Sequence, residues 1–236
     1  MRTSTLSITT AAAFLFLAVA AQAQDEAGCE HARYKAAGKY ENCEAKSAGN
    51  GFNPGGFENC RRKYAGTWTR LGTKYPGTLC SVARFVDNGD GTVSDKLTRL
   101  VWEKKDSADG VVNLANRHDA DNLYTWSAVD QDADGAVFTD FLANLNSTGF
   151  AGQYDWRLPT FFELQSILPA VSPCVASPCV ADPLFLPTQS SVYWSSSTTD
   201  GIDPTYAWCV DFSNASTLAG SKPFSSYHVR AVRAGY

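Results

Sequence analysis

The chain has 236 residues, with 20 Lys and Arg against 24 Asp and Glu, a net charge of −4. The charge is uneven: residues 24–80 carry nine basic and six acidic side chains, residues 81–236 ten and eighteen. The acidic large part excludes a general attraction to nucleic acid or sulfated polymers there and suits calcium or neutral glycans better, while the small basic part modestly favours an anionic surface.

The N terminus reads as a secretory signal peptide over residues 1–23. Arg2 gives a basic start, residues 11–20 are an apolar run, and Ala21-Gln22-Ala23 has the small-x-small form of a cleavage site. The run is too short for a bilayer span, which needs about 20 residues. No later stretch is apolar enough, so an exported protein without a membrane span is expected, in the periplasm, outside the cell or at its surface. The length beyond the signal suits one full-size domain and a small appendage.

The appendage, residues 24–80, holds Cys29, Cys43, Cys60 and Cys80 among helix formers. Tyr40-Glu-Asn-Cys43-x-x-Lys46 recurs as Phe57-Glu-Asn-Cys60-x-x-Lys63, and GNGFNPGG (49–56) between them is a breaker. The pattern predicts two antiparallel helices. In such a hairpin Cys43–Cys60 is the inner disulfide and Cys29–Cys80 the outer one. Four cysteines allow three pairings, and geometry favours this one. The wide spacings and the lack of C-x-x-C argue against zinc.

From residue 81 to 236 the texture is that of a second unit. VARFVDNGDGTVSDKLTRLVWEKK (82–105) reads as a β-meander. Within it DNGDGTVSD (87–95) resembles a calcium loop, but an EF-hand frame from Asp87 places Gly89 and Gly91 at ligand positions. A hairpin turn fits better. Residues 106–124 read as loop. DQDADGAVFTDF (130–141) places Asp130, Asp132 and Asp134 at positions 1, 3 and 5 and Gly135 at 6, but Phe141 stands where a bidentate acid is needed. These three aspartates are the metal candidates, for weak calcium at most, and no other cofactor is expected. The alternative is a polar loop that leads into a helix.

Phe138, Phe141, Leu142 and Leu145 then recur at helical spacing up to Gly149. Thr160 and Glu163 form a capping box for a second helix stopped by Pro169. Residues 170–190 read as a Pro-rich loop pinned by a local Cys174–Cys179 disulfide. The segments 191–198, 206–213 and 227–236 read as strands. Cys209 is left over and is expected to be a free, buried thiol. Strands, two helices, a loop and more strands make an α+β fold with an antiparallel sheet.

Several blocks in order, LVWEKK, HDADNLYTW (118–126), DWRLPTFFELQSI (155–167), VYWSSST (192–198), AWCVDF (207–212) and VRAVRAG (229–235), resemble the Lcl C-terminal domain family. The resemblance runs from about Arg84 to Tyr236. It implies a C-type-lectin-like fold whose termini meet in one sheet, and an exported bacterial protein. The best-known member is a collagen-like adhesin that binds sulfated polysaccharides through this domain; this chain has no collagen repeat. The Glu-Pro-Asn and Trp-Asn-Asp signatures of calcium-dependent lectins are absent. The resemblance therefore implies a non-enzymatic binding module for a surface glycan or an envelope or host protein, adhesin-like. The alternatives are an enzyme or enzyme accessory on the formylglycine-generating variant of the fold, with Cys209 as its thiol, and a structural envelope protein. If a glycan platform exists on the late strands, Tyr206, Trp208 and Tyr227 are its aromatic candidates, with Lys222 and His228 for polar contacts. No catalytic residue is assigned, because the three histidines are scattered and no nucleophile elbow is present.

Overall fold

The computed structural model describes residues 83–169, 174, 177–199 and 203–235, together with scattered residues between 25 and 76. The signal segment 1–23, the 47–58 turn and Cys80 lie outside the described residues, so those expectations are not addressed by it. In the appendage the described residues of 25–46 and 59–74 are helical. Cys43 and Cys60 are joined, with Cα atoms 5.8 Å apart, as the hairpin geometry required. Cys29 is also disulfide-bonded and buried against Leu71. No described helix is long and apolar enough to cross a membrane.

The large part opens with β1 (Phe85–Asp87), β2 (Thr92–Asp95) and β3 (Leu100–Glu103), an antiparallel meander. DNGDGTVSD is its first turn. Gly89 and Gly91 take positive φ, 76° and 86°, which glycine adopts without the Cβ penalty. The carboxylates are all spent locally. Asp87 accepts from the Gly89 N–H and pairs with Lys104, Asp90 accepts from Thr92, and Asp95 takes a two-point bond from Arg84.

After β4 (Tyr124–Thr125), helix α1 starts as a π-helical turn (Val137–Leu142) and continues as an α-helix (Ala143–Thr148). It buries Val137, Phe141, Leu142 and Leu145 and ends at Gly149, whose φ is 68°. Helix α2 (Phe161–Ser166) has both halves of the Thr160–Glu163 capping box, and Arg157 clamps the same glutamate. The Cys174–Cys179 disulfide is formed, and the loop contains a short helical turn at Pro183–Phe185.

The second sheet has the order β5-β6-β7, from Val192–Thr198, Tyr206–Asp211 and Ser216–Ser221. Strand β7 was not expected, since STLAGS lacks an apolar alternation; its pairing with β6 along six residue pairs makes it a strand. The run 227–236 was expected as one strand and is divided. Ser226–Tyr227 (β8) pairs with β4, His228 bonds to β5, and Val232–Ala234 (β9) pairs with β3. The break falls where Arg230 turns into the core, its guanidinium bonded to the carbonyls of Glu103, Phe185 and Pro187. This last run links all three sheets, and the first and last strands of the large part share one sheet.

Side-chain alternation along central β6 divides two cores. Val210 and Phe212 face a cluster with Trp102, Phe161, Leu164, Phe185 and Tyr193. Ala207 and Cys209 face the other, with Trp126, Phe141, Trp156 and Trp194. Period-two geometry sends successive residues to opposite faces, so a strand between two layers must be apolar on both.

Candidate ligand-binding surfaces

The late-strand platform is not assembled. Tyr206 is exposed and Trp208 half-buried, and the Trp208 ring lies 6.1 Å from Phe161 on the face of the first core. Tyr227 packs against Trp194, ring centres 4.7 Å apart and planes inclined at 49°, in the second core. The sheet therefore separates Trp208 from Tyr227. His228 is buried, its Nδ1 against the Asn122 carbonyl oxygen, and burial lowers its pKa. Lys222 is only 2% exposed. Its ammonium donates to the carbonyls of Gln131 and Pro204 and sits 4.2 Å from the Trp126 ring centre.

Lys222 also bears on the aspartate loop. A cation does stand at DQDADG, but it is the Lys222 ammonium, bonded to a loop carbonyl. Asp130, Asp132 and Asp134 are exposed, and their carboxylates do not converge. Asp134 is turned back to accept from Ser127 Oγ and the Ala128 N–H, which hold its pKa down. Gly135 has a packing reason: a Cβ there would meet the Trp126 carbonyl carbon at 2.5 Å and the Ser127 nitrogen at 2.7 Å. Among the described residues these three aspartates form no converging group, and the loop's glycine is accounted for by the close backbone approach.

Another carboxylate group does converge. Ligand oxygens of Asp109, Asp119 and Asp121 lie within 4.8 Å of one another, and the last two residues are buried. Three oxygens are fewer than the six to eight that calcium takes. They are occupied in shaping the 106–123 loop: Asp121 accepts from the Gly110 N–H and from Gln189, Asp119 from the Asp121 N–H, and Asp109 from the Val111 N–H. Sequence inspection missed this group because Asp109 is distant in the chain from the other two.

Below that loop lies a buried ionic network. Glu103 is fully buried; its Oε1 accepts from Lys105 Nζ at 2.9 Å and from His118 Nδ1 at 2.8 Å, and its Oε2 from the Ala231 N–H. Burial alone would push its pKa up, but Lys105, His118 and the Ala231 amide outweigh this and hold it below its usual range. Lys105 is itself 3% exposed, and burial lowers its pKa.

Cys209 is a free thiol at 0% exposure. Burial pushes its pKa far up, so thiolate is suppressed at neutral pH. Native protein should leave Cys209 unmodified by iodoacetamide, and denaturation without reductant should expose it; peptide mapping checks both. Rapid alkylation in the native state would restore it as a reactive group.

A shallow groove of about 520 Å³ lies between α1, the Trp156–Thr160 segment and β5. Phe138, Leu142 and Trp156 give it an apolar lining, and Asn146, Arg157 and Ser196 supply polar groups. These are held firmly. Asn146 bonds both the N–H and the carbonyl of Trp156, Arg157 clamps Glu163, and Ser196 bonds Pro159. Of its rings, Trp156 is 3% exposed and Phe138 is partly exposed, so Phe138 is the aromatic side chain the groove offers, beside polar groups held in place by their own bonds. No residue of this groove was singled out from the sequence as a contact, because its lining comes from three separate segments.

A family model described as Lcl C-terminal domain matches residues 91–233. No curated protein and no solved structure matches the chain.

Proposed function

Because this chain belongs to the Lcl C-terminal domain family, we propose that it is an exported binding module, recognising a surface glycan or an envelope or host protein in the manner of an adhesin. The observation that carries the reading is the groove beside α1, an apolar lining of Phe138 and Trp156 with a rigid polar rim. Two further features support it. The disulfides fit an oxidising compartment, and the meeting of the first and last strands in one sheet fits a C-type-lectin-like domain. Burial of Cys209 and its suppressed thiolate weigh against the thiol-based enzyme alternative.

A glycan array with and without chelator tests the reading. Binding to one glycan class is expected. Phe138→Ala should weaken it about fivefold or more, in line with the cost of losing an aromatic contact. Phe138 is partly exposed and meets Trp126 edge-on at 4.9 Å, so circular dichroism should confirm that the variant is folded. No binding to any glycan or envelope component overturns the reading.

A further inference from the structure

Strand β7 is an open sheet edge: among the described residues its one neighbour is β6. The other outer strands are shorter or covered. β1 has three residues, β5 is bonded on its outer side to His228 and Pro159, and β9 is bonded to Arg157. Just beyond β7 the Lys222 N–H donates to the Thr205 carbonyl. Bonded and non-bonded pairs alternate along an antiparallel ladder. Ser216, Leu218 and Gly220 therefore turn their backbone groups to β6, and Thr217, Ala219 and Ser221 turn theirs outward. Among the described residues no bond takes the outward N–H groups of these three or the carbonyls of Thr217 and Ala219; the Ser221 carbonyl accepts from the Ser225 N–H. Edges that resist pairing are short, bulged, charged or proline-bearing. The β6–β7 register is unbroken over six pairs, and STLAGS has neither a charge nor a proline. At about 3.3 Å per residue the edge runs for about 20 Å.

The far end of this edge has a distinct chemistry. The Lys222 carbonyl accepts from the Ser127 N–H and the Lys222 ammonium donates to the Gln131 carbonyl, which ties the 127–134 loop to the end of β7. Phe224 is 90% exposed and Val129 80%, each two residues from that backbone bond, and exposed Tyr206 stands opposite Ser221. Asp130, Asp132 and Asp134 are exposed on the same loop. No lysine or arginine occurs between Arg117 and Arg157, and Lys222 is buried with its charge turned to carbonyls. The end of the edge is therefore apolar and negative. We propose that β7 is a strand-addition site for an extended, basic peptide segment of a partner protein. The partner's backbone continues the sheet through Thr217, Ala219 and Ser221, an apolar side chain meets Phe224 and Val129, and its lysine or arginine faces the aspartates. A second copy is a poorer occupant: residues 81–236 carry eighteen acidic side chains against ten basic, so two copies repel. The inference goes beyond the groove reading and does not rest on it, since the two surfaces share no residue.

Fluorescence polarisation of the full chain tests this with three labelled heptapeptides. One alternates valine and lysine, one alternates valine and glutamate, and the third is the valine–lysine peptide with every peptide nitrogen methylated, which cannot donate from either edge. The first should bind, and the other two should bind at least about tenfold more weakly. Its binding should slow hydrogen–deuterium exchange at the Thr217 and Ala219 amides and should weaken as salt rises. Ala219→Pro removes an outward N–H without breaking a bond to β6, and should cost about tenfold or more. Phe224→Ala should cost about fivefold, D130N/D132N about threefold, and Phe138→Ala nothing. Circular dichroism checks that Ala219→Pro is folded; should it not be, the methylated peptide and the exchange measurement on the wild-type chain decide. Equal binding of the glutamate or methylated peptide, binding without protection of Thr217 and Ala219, or no peptide binding at all would overturn the proposal. So would self-association that Ala219→Pro abolishes while no peptide binds, which would make a second copy the occupant.

Discussion

Glu103→Gln will destabilise the large part by about 3–5 kcal/mol, the usual cost of breaking a buried ion pair by removing one partner. The wild-type carboxylate is fully buried with Lys105 and His118 on one oxygen and the Ala231 N–H on the other. The amide keeps the shape and leaves the Lys105 ammonium, 3% exposed, without a countercharge. Since a whole domain is stable by only about 5–15 kcal/mol, the urea midpoint should drop by a large fraction. Proton linkage gives a second readout. Lys105, His118 and the Ala231 N–H hold the folded-state pKa of Glu103 below the ordinary glutamate value of about 4.5. Its contribution is therefore complete above that pH and is lost as pH falls through the lower folded value. Wild-type stability should decline below about pH 4.5, and Glu103→Gln should flatten that decline. An unchanged midpoint at neutral pH, or an unchanged acid slope, would show that the network contributes nothing.

Gly135→Ala should cost about 3 kcal/mol, at the upper end of overpacking penalties. The obstruction is backbone: the Thr125 carbonyl, the Trp126 carbonyl carbon and the Ser127 nitrogen crowd the position where a Cβ would stand. Backbone at the end of β4 cannot swing aside as a flexible side chain would. Gly135 also accepts from the Phe138 and Thr139 N–H groups at the start of α1, so a shift there is transmitted to the helix. Gly66→Ala is the control. Nothing lies within 4 Å of its Cβ position, and alanine is the better helix former by about 1 kcal/mol. Chemical denaturation should move the two variants in opposite directions. Were Gly135→Ala as stable as wild type, the close approach would not be real, and the calcium-loop explanation of this glycine would regain ground.

The two substitutions mark how far the chain could be read directly. Local chemistry was legible. Asn88-Gly89 and Asp90-Gly91 specify a turn, Thr160 and Glu163 specify a helix start, and the Cys43/Cys60 repeat specifies a staple; each rests on neighbours a few residues apart or on a duplicated pattern. Carboxylate spacing at Asp130, Asp132 and Asp134 does not by itself give a converging group, because oxygens that alternate along a sequence converge only if the backbone curls around them. Here Asp134 turns back to Ser127 and Lys222 takes the loop carbonyl. The aromatic candidates failed to assemble for a related reason. Tyr206 and Trp208 lie on one strand and Tyr227 on another, and β6 presents Trp208 to one core while Tyr227 packs in the other.

The sequence by itself determined the α+β class, the meander, the helix stop at Gly149, the inner disulfide, the thiol left over at Cys209 and the family resemblance. These follow from periodicity, turn chemistry and cysteine spacing, which act over short range. The second helix ends at Ser166, short of the expected stop at Pro169. Only the tertiary structure decided that STLAGS is a strand, that Arg230 breaks the last strand, that Glu103, Lys105 and His118 form one buried network, and that Phe138, Asn146, Trp156 and Ser196 line one groove. Each brings together groups remote in sequence, and which of them meet is set by how the sheets pack and not by any local preference.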